Sequence, residues 1–153
     1  MAKYIIDTCS LTAMHRVYPR DVFPSAWEKL ENLAELKIIA STEDVLEEIK
    51  SQDDEILDWV NKYKEIFYPL NEEIQHEAIK VLGTHDNLNE KKKRKSGADP
   101  FVIATAMVYS CTVVTEEKPS GGPNKSKIPD VCQDYGIKCI KVLDMLRRER
   151  LQA

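Results

Sequence analysis

Tyr4-Ile5-Ile6-Asp7 opens the chain, and a stretch of the same kind returns late in it as Thr112-Val113-Val114-Thr115-Glu116-Glu117. Each is a short β-branched or aromatic run that stops at acidic residues. Such a run reads as a buried strand whose carboxyl end meets a carboxylate. Ile38-Ile39-Ala40 and Lys138–Lys141 read as two more strands, and stretches of helical periodicity separate them. Strands alternating with helices make a parallel α/β sheet joined by right-handed crossovers. The expected architecture is a three-layer α/β fold, a mostly parallel sheet of four to five strands flanked by helices.

The helices follow from caps and spacing. Pro24 precedes a capping box, Ser25-Ala26-Trp27-Glu28, and the helix behind it puts Trp27, Leu30, Leu33 and Ala34 on one face, with Lys37 closing it. Ser41-Thr42-Glu43-Asp44 starts a helix carrying Val45, Leu46 and Ile49 inward. Asp53 to Glu65 reads as one helix with Ile56, Trp59, Val60 and Tyr63 on its apolar side. Asn71 caps another that shows Ile74, Ala78, Ile79 and Leu82 and stops at Gly83. Asp99-Pro100 is an N-cap followed by proline at the first helical position. The run from Phe101 to Tyr109 is apolar nearly all round, so that helix should be central. A short helix near Pro129–Tyr135 and one from Asp144 complete the set. Neither a repeat nor a domain boundary interrupts the pattern, so residues 1–153 are expected to form one domain.

Composition limits what such a fold can do. The 153 residues are 42% apolar and 31% charged, which fits a globular chain with its own core. A net charge of −4 excludes a protein that grips nucleic acid by overall basicity, but not one with a local basic patch or a metal bridge to phosphate. No apolar run reaches the ~18–20 residues of a membrane span, and Asp7 interrupts any signal-peptide core, so a cytoplasmic protein is expected. Cys9, Cys111, Cys132 and Cys139 form no C-x-x-C and read as reduced, partly buried thiols.

Familiar catalytic patterns are missing. Neither G-x-G-x-x-G nor G-x-x-x-x-G-K-[ST] occurs, and G-x-S-x-G does not occur either. His15, His76 and His85 have no ligand or triad spacing. Carboxylates in unusual places remain. Asp7 and Glu117 lie at strand ends, on the edge of a parallel sheet where ligands bind. Asp99 opens the most apolar helix. On the helix after the second strand, Glu47 points away from the Val45/Leu46/Ile49 face while Glu48 flanks it, so Glu48 is the acid that can lean into a cleft. Four carboxylates meeting there would repel each other unless a cation sat among them, and oxygen ligands suit Mg²⁺ or Mn²⁺.

The surroundings of these acids resemble the PIN-domain nucleases. Tyr4 to Leu11, a hydrophobic strand into Asp-Thr-Cys-Ser, is similar to that family's opening. Val45-Leu46-Glu47-Glu48-Ile49 is similar to its second motif, Ala98-Asp99-Pro100 to Ala106 to its third, and Val113-Val114-Thr115-Glu116-Glu117 to its last. The likeness is greatest to VapC-type toxins, and within them to a little-characterised branch with Tyr18-Pro19, Phe23-Pro24-Ser25 and Lys127 to Cys132. The resemblance implies a PIN-like fold and a metal-dependent endoribonuclease, the toxin of a toxin–antitoxin pair, acting as a homodimer held by a small antitoxin protein. It implies that Asp7, Glu48, Asp99 and Glu117 hold Mg²⁺ or Mn²⁺, and that cleavage leaves 5′-phosphate and 3′-hydroxyl ends. Thr8, Ser10 and Thr115 would orient carboxylates or water. The family's last acid is Asp, and here it is Glu117, so Glu116 or Asp130 could take part. Lys91, Lys92, Lys93, Arg94 and Lys95, just before Asp99, read either as a solvated charge run or as a strip facing RNA phosphates. The alternative function is a non-catalytic PIN-like module that binds RNA or a protein.

Asp99→Asn separates a cap from a metal ligand. Asn caps a helix about as well as Asp, so a cap alone predicts little change. The ligand reading predicts equal or higher metal-free melting temperature and Mn²⁺-dependent RNA cleavage down at least about tenfold. Full activity in this variant would remove Asp99 from the site.

Overall fold

The computed structural model describes residues 2–52, 56–84, 99–119 and 127–150. Five strands form one all-parallel sheet: β1 (Tyr4–Ile6), β2 (Ile39–Thr42), β3 (Phe67–Tyr68), β4 (Thr112–Val114) and β5 (Cys139–Ile140), in the spatial order β3-β2-β1-β4-β5. Eight α-helices among the described residues flank it: α1 (Thr8–Arg16), α2 (Pro24–Glu35), α3 (Glu43–Gln52), α4 (Leu57–Lys62), α5 (Glu72–Thr84), α6 (Asp99–Tyr109), α7 (Ile128–Tyr135) and α8 (Val142–Arg150). This is the three-layer α/β architecture expected from the alternation of strands and helices.

The first strand is the centre of the sheet because both its neighbours need it. Tyr4 and Ile5 align with Ile39 and Ala40 on one side, and Tyr4, Ile5 and Ile6 with Thr112, Val113 and Val114 on the other. Ile5, Ile6, Val113 and Val114 have no exposed surface. Truncating one such isoleucine to alanine removes about 2–5 kcal/mol, from lost transfer energy plus the cavity left behind. Helix α6 lies over the sheet, with Val102, Ile103, Ala104 and Ala106 buried. Thr105, also buried, satisfies its hydroxyl by donating to the Phe101 carbonyl at 2.7 Å. The opposite side of α6 meets α5, where Ile74, Ala78 and Ala104 form a small second cluster.

Several local expectations need correction. The Ser25–Glu28 capping box does not form. Helix α2 begins two residues earlier, with Pro24 as its first residue and Phe23 as an N-cap that makes no side-chain bond. Proline supplies a helical φ and lacks the N–H that a cap would satisfy. On α5 the buried face is Ile74, Ala78 and Val81, while Ile79 is 66% exposed, and the helix runs through Gly83 to Thr84. The stretch from 53 to 65 is not one helix: among its described residues, α4 ends at Lys62 and a 3₁₀ turn follows at Lys64–Ile66. Its predicted apolar side, Ile56, Trp59, Val60 and Tyr63, is nevertheless buried. Helix α1 and the two-residue β3 carry too few apolar repeats to stand out in the sequence. Asn71 does cap α5, accepting from the Ile74 N–H at 2.9 Å.

Tyr4 ties β1 to the last helix. Its hydroxyl donates to Glu149 Oε2 at 2.6 Å, and Glu149 is 3% exposed. Burial, together with the adjacent carboxylate, pushes the phenol up to about 12, above the ordinary value near 10. A raised folded-state value means the contribution is complete below about pH 10 and disappears as pH rises toward about 12. Tyr4→Phe should lower stability by about 1–3 kcal/mol at neutral pH, because Glu149 loses its buried donor. Urea midpoints across the alkaline range should then fall less steeply than those of the parent. Parallel pH profiles for the two proteins would refute the assignment.

Candidate functional site

Two strands end side by side, and the site grows from that fact. The register pairs Ile6 with Val114, so the residues that follow, Asp7 and Thr115, emerge together at the carboxyl edge of the sheet. The Asp7 N–H donates to Val114 O at 2.9 Å, and Thr115 Oγ1 donates to Asp7 Oδ2 at 3.1 Å. Asp7 is also the N-cap of α1, accepting from the Thr8 N–H at 2.8 Å through Oδ1. The Cys9 thiol, from the second residue of α1, donates to Asp7 Oδ2 at 3.1 Å and accepts from the Glu116 N–H at 3.2 Å. Asp7 is 3% exposed and Thr115 1%. Burial first, and then the Asp7 charge, push the Cys9 thiol far above its ordinary value, so it stays protonated and serves as a donor.

The two acids after β4 diverge. Glu117 Oε1 accepts from the Ile128 N–H at 3.0 Å, the first residue of α7, and its own N–H donates to Thr115 Oγ1 at 3.2 Å. Glu116 Oε2 turns the other way and accepts from the Val142 N–H at 3.0 Å, the first residue of α8. Asp130 bonds the Lys127 N–H at 3.2 Å in the reciprocal cap of α7. Backbone donors at a helix start and the positive end of its dipole both favour a carboxylate there. The Glu117 backbone thus shares Thr115 with Asp7, while the carboxylates of Glu117, Glu116 and Asp130 all face helix starts. The Glu117 charge is felt by the Cys132 and Cys139 thiols, and that of Asp7 by Cys139, which places all four in one neighbourhood.

Glu48 behaves as the helix arithmetic predicts. Glu47 has 72% of its side chain exposed and pairs with Lys50 at 3.8 Å, while Glu48 is half-buried. Glu48 Oε2 is shielded from solvent and has no hydrogen-bond partner, and neither do Ser10 Oγ and Thr8 Oγ1. Helix α3 leaves β2 at the same carboxyl edge. Helix α6 descends to β4 through a two-residue link, Ser110 and Cys111, so Asp99, its first residue, belongs to that edge by connectivity. The Asp99 side chain and the whole Lys91–Lys95 run lie outside the described residues. Among the described residues, no three His, Cys, Asp or Glu side chains form a ready metal cluster. The fit to a hard cation rests instead on chemistry: a buried, unpartnered carboxylate oxygen and two unpartnered hydroxyls around an acid-lined edge are oxygen donors lacking a counterpart. Cys9 is the residue whose part the sequence did not signal. Its place at the second helical position after an N-cap aspartate could have suggested it.

Fold and edge together define the class: a parallel three-layer α/β protein with carboxylates gathered where its central strands end. Residues 4–153 match the family described as a domain of unknown function, DUF4411, and the chain belongs to that family. No curated protein matches. Among solved structures, the crystal structure of PAE2754 from Pyrobaculum aerophilum is similar, with a TM-score of 0.51 at 17% identity over 97% of each chain. At that identity the likeness concerns the fold alone. None of the helices among the described residues is long and apolar enough to cross a membrane.

Glu48→Gln tests the unpartnered oxygen. Metal-free melting temperature should rise, because a buried negative charge is removed. Mn²⁺ at about 100 times its Kd stabilises a one-site protein by about 2.7 kcal/mol, roughly 5–10 °C for a chain of this size. The variant should lose most of that shift. An equal Mn²⁺ shift in both proteins would exclude Glu48 as a ligand.

Proposed function

We propose that this chain is a metal-dependent endoribonuclease of the PIN type, a cytoplasmic toxin controlled by a small antitoxin protein and acting as a homodimer. The observation that carries the reading is the convergence of Asp7, Thr115 and Glu117 at the carboxyl edge, with the unpartnered Glu48 Oε2 among the buried polar atoms. The order of the four acidic motifs along the chain supports it independently.

Asp7, Glu48, Glu117 and Asp99 would hold Mg²⁺ or Mn²⁺. When bound, such an ion lowers the pKa of a water and neutralises charge on the scissile phosphate. The protein's part is positioning. Thr115 and Cys9 both direct their protons at Asp7 Oδ2, and Thr8 N–H fixes Oδ1, so the carboxylate is held in one orientation. Glu117 is anchored through Oε1 to the start of α7. The Ser10 and Thr8 hydroxyls have no protein acceptor and can donate to a phosphate oxygen or a water.

A second reading has its own support. Asp7, Glu117 and Glu116 each accept a backbone N–H at a helix start, and caps alone would account for these three acids. The chain would then be a non-catalytic module binding RNA or a protein.

Metal-stripped protein should be inactive on single-stranded RNA, Mn²⁺ should restore cleavage, and the products should carry 5′-phosphates. EDTA should abolish the reaction. RNA bound equally well in EDTA and left intact in Mn²⁺ would favour the module.

A further inference from the structure

The opposite edge of the sheet has the opposite charge. A cavity of about 680 Å³ lies where the strands begin, lined by Lys3, Lys138 and Arg148 together with Tyr109, Ser110 and Thr112, and no carboxylate of the described residues lines it. Two other cavities of the described residues mix the signs of charge: Asp21, Glu31 and Asp58 with Arg20 and Lys62 in one, Glu28, Glu31 and Glu35 with Lys29 and Arg147 in the other. Segregation of three cations into one hollow is notable in a chain of net charge −4.

Backbone pairing fixes the spacing of the two lysines. The Thr112 N–H donates to Lys3 O and the Val113 N–H donates to Lys138 O, both at 2.9 Å. Lys3 and Lys138 therefore sit just before β1 and β5, on either side of β4. Strands lie about 4.8 Å apart, so the two backbones are about 10 Å apart, within reach of two lysine side chains converging on one group. Arg148 comes from α8, positioned by the neighbouring Glu149, whose buried carboxylate accepts from Tyr4 and pairs with Lys3 at 3.7 Å. Lys138 and Arg148 are exposed and have no ion pair among the described residues. The end of α6 at Tyr109 contributes roughly half a negative charge from its dipole. That offsets a fraction of one cation, and Glu149 offsets Lys3, so the positive charge of the hollow comes from Lys138 and Arg148.

We propose that this cavity is a phosphate-binding site, in which the Lys138 ammonium and the Arg148 guanidinium clamp a phosphate group and Lys3 completes its charge. Arg offers a planar fork for two phosphate oxygens and Lys a point charge, the pairing typical of phosphate recognition. The phosphate comes either from a small phosphorylated molecule or from the backbone of an RNA strand. The site needs no divalent ion and lies at the edge away from the acids, so it stands whether or not the chain cleaves RNA.

The test uses the full chain in EDTA, titrated by calorimetry and amide NMR with inorganic pyrophosphate and, separately, with a short 5′-phosphorylated RNA. Pyrophosphate should bind saturably and shift the amides of Lys3, Ser110 and Thr112. Lys138→Gln with Arg148→Gln, both at exposed positions, should weaken it at least about tenfold and leave the melting temperature unchanged. A charge-matched control, Lys64→Gln with Lys80→Gln, should bind as the parent does. RNA binding weakened in step by the same pair identifies the backbone as the source, and RNA binding left unchanged identifies a small molecule. Non-saturating shifts, shifts centred elsewhere, or equal weakening by the control pair overturn the proposal.

Discussion

Thr115 Oγ1 and Asp7 Oδ2 lie 3.1 Å apart although 108 positions separate them in the chain. That bond exists only because β1 and β4 are neighbours in register, and the register exists because Ile5, Ile6, Val113 and Val114 are apolar on both faces. A slip by one residue would turn every side chain of β1 to the other face. It would also take Asp7 away from Thr115. The core thus sets the position of the polar edge, and the edge can be no more accurate than the packing beneath it.

Under the proposed function, the acids at this edge would have two duties that do not conflict. A carboxylate oxygen carries two lone pairs, so a bond from a backbone N–H does not exhaust it. Asp7 caps α1, and Glu117 and Glu116 each receive the first N–H of a later helix. Helix starts bring partial positive charge to a place crowded with carboxylates, which lowers the repulsion among them. The same donors hold the side chains in fixed rotamers. An acid held by a structural bond is a better-placed ligand than a free one, since less conformational entropy is lost on binding.

The molecule is polarised along its strands. Acids gather where the parallel strands end, and Lys3, Lys138 and Arg148 where they begin. With one net charge for the whole chain, this arrangement would not be visible. The two edges are separated by the strands themselves, and at ordinary ionic strength fields between them are largely screened.

The alternation of helices and strands, the strand-end acids and the Glu48-over-Glu47 choice were legible from periodicity, because a 100° step per residue and a buried apolar run are local properties. Strand β3 and helix α1 were not, since two residues and a single turn or two leave no period to detect. The buried choice of Val81 over Ile79 depends on where α6 lies against α5, which no window of sequence contains. Cys9 looked like an ordinary thiol until folding brought Asp7, Thr115 and Glu116 around it. By itself the sequence determined which elements form and which acids end them, through hydrogen-bonding and burial preferences acting over a few residues. Only the tertiary structure decided which acids meet, because meeting depends on strand order and register, and those are settled by contacts between segments distant in the chain.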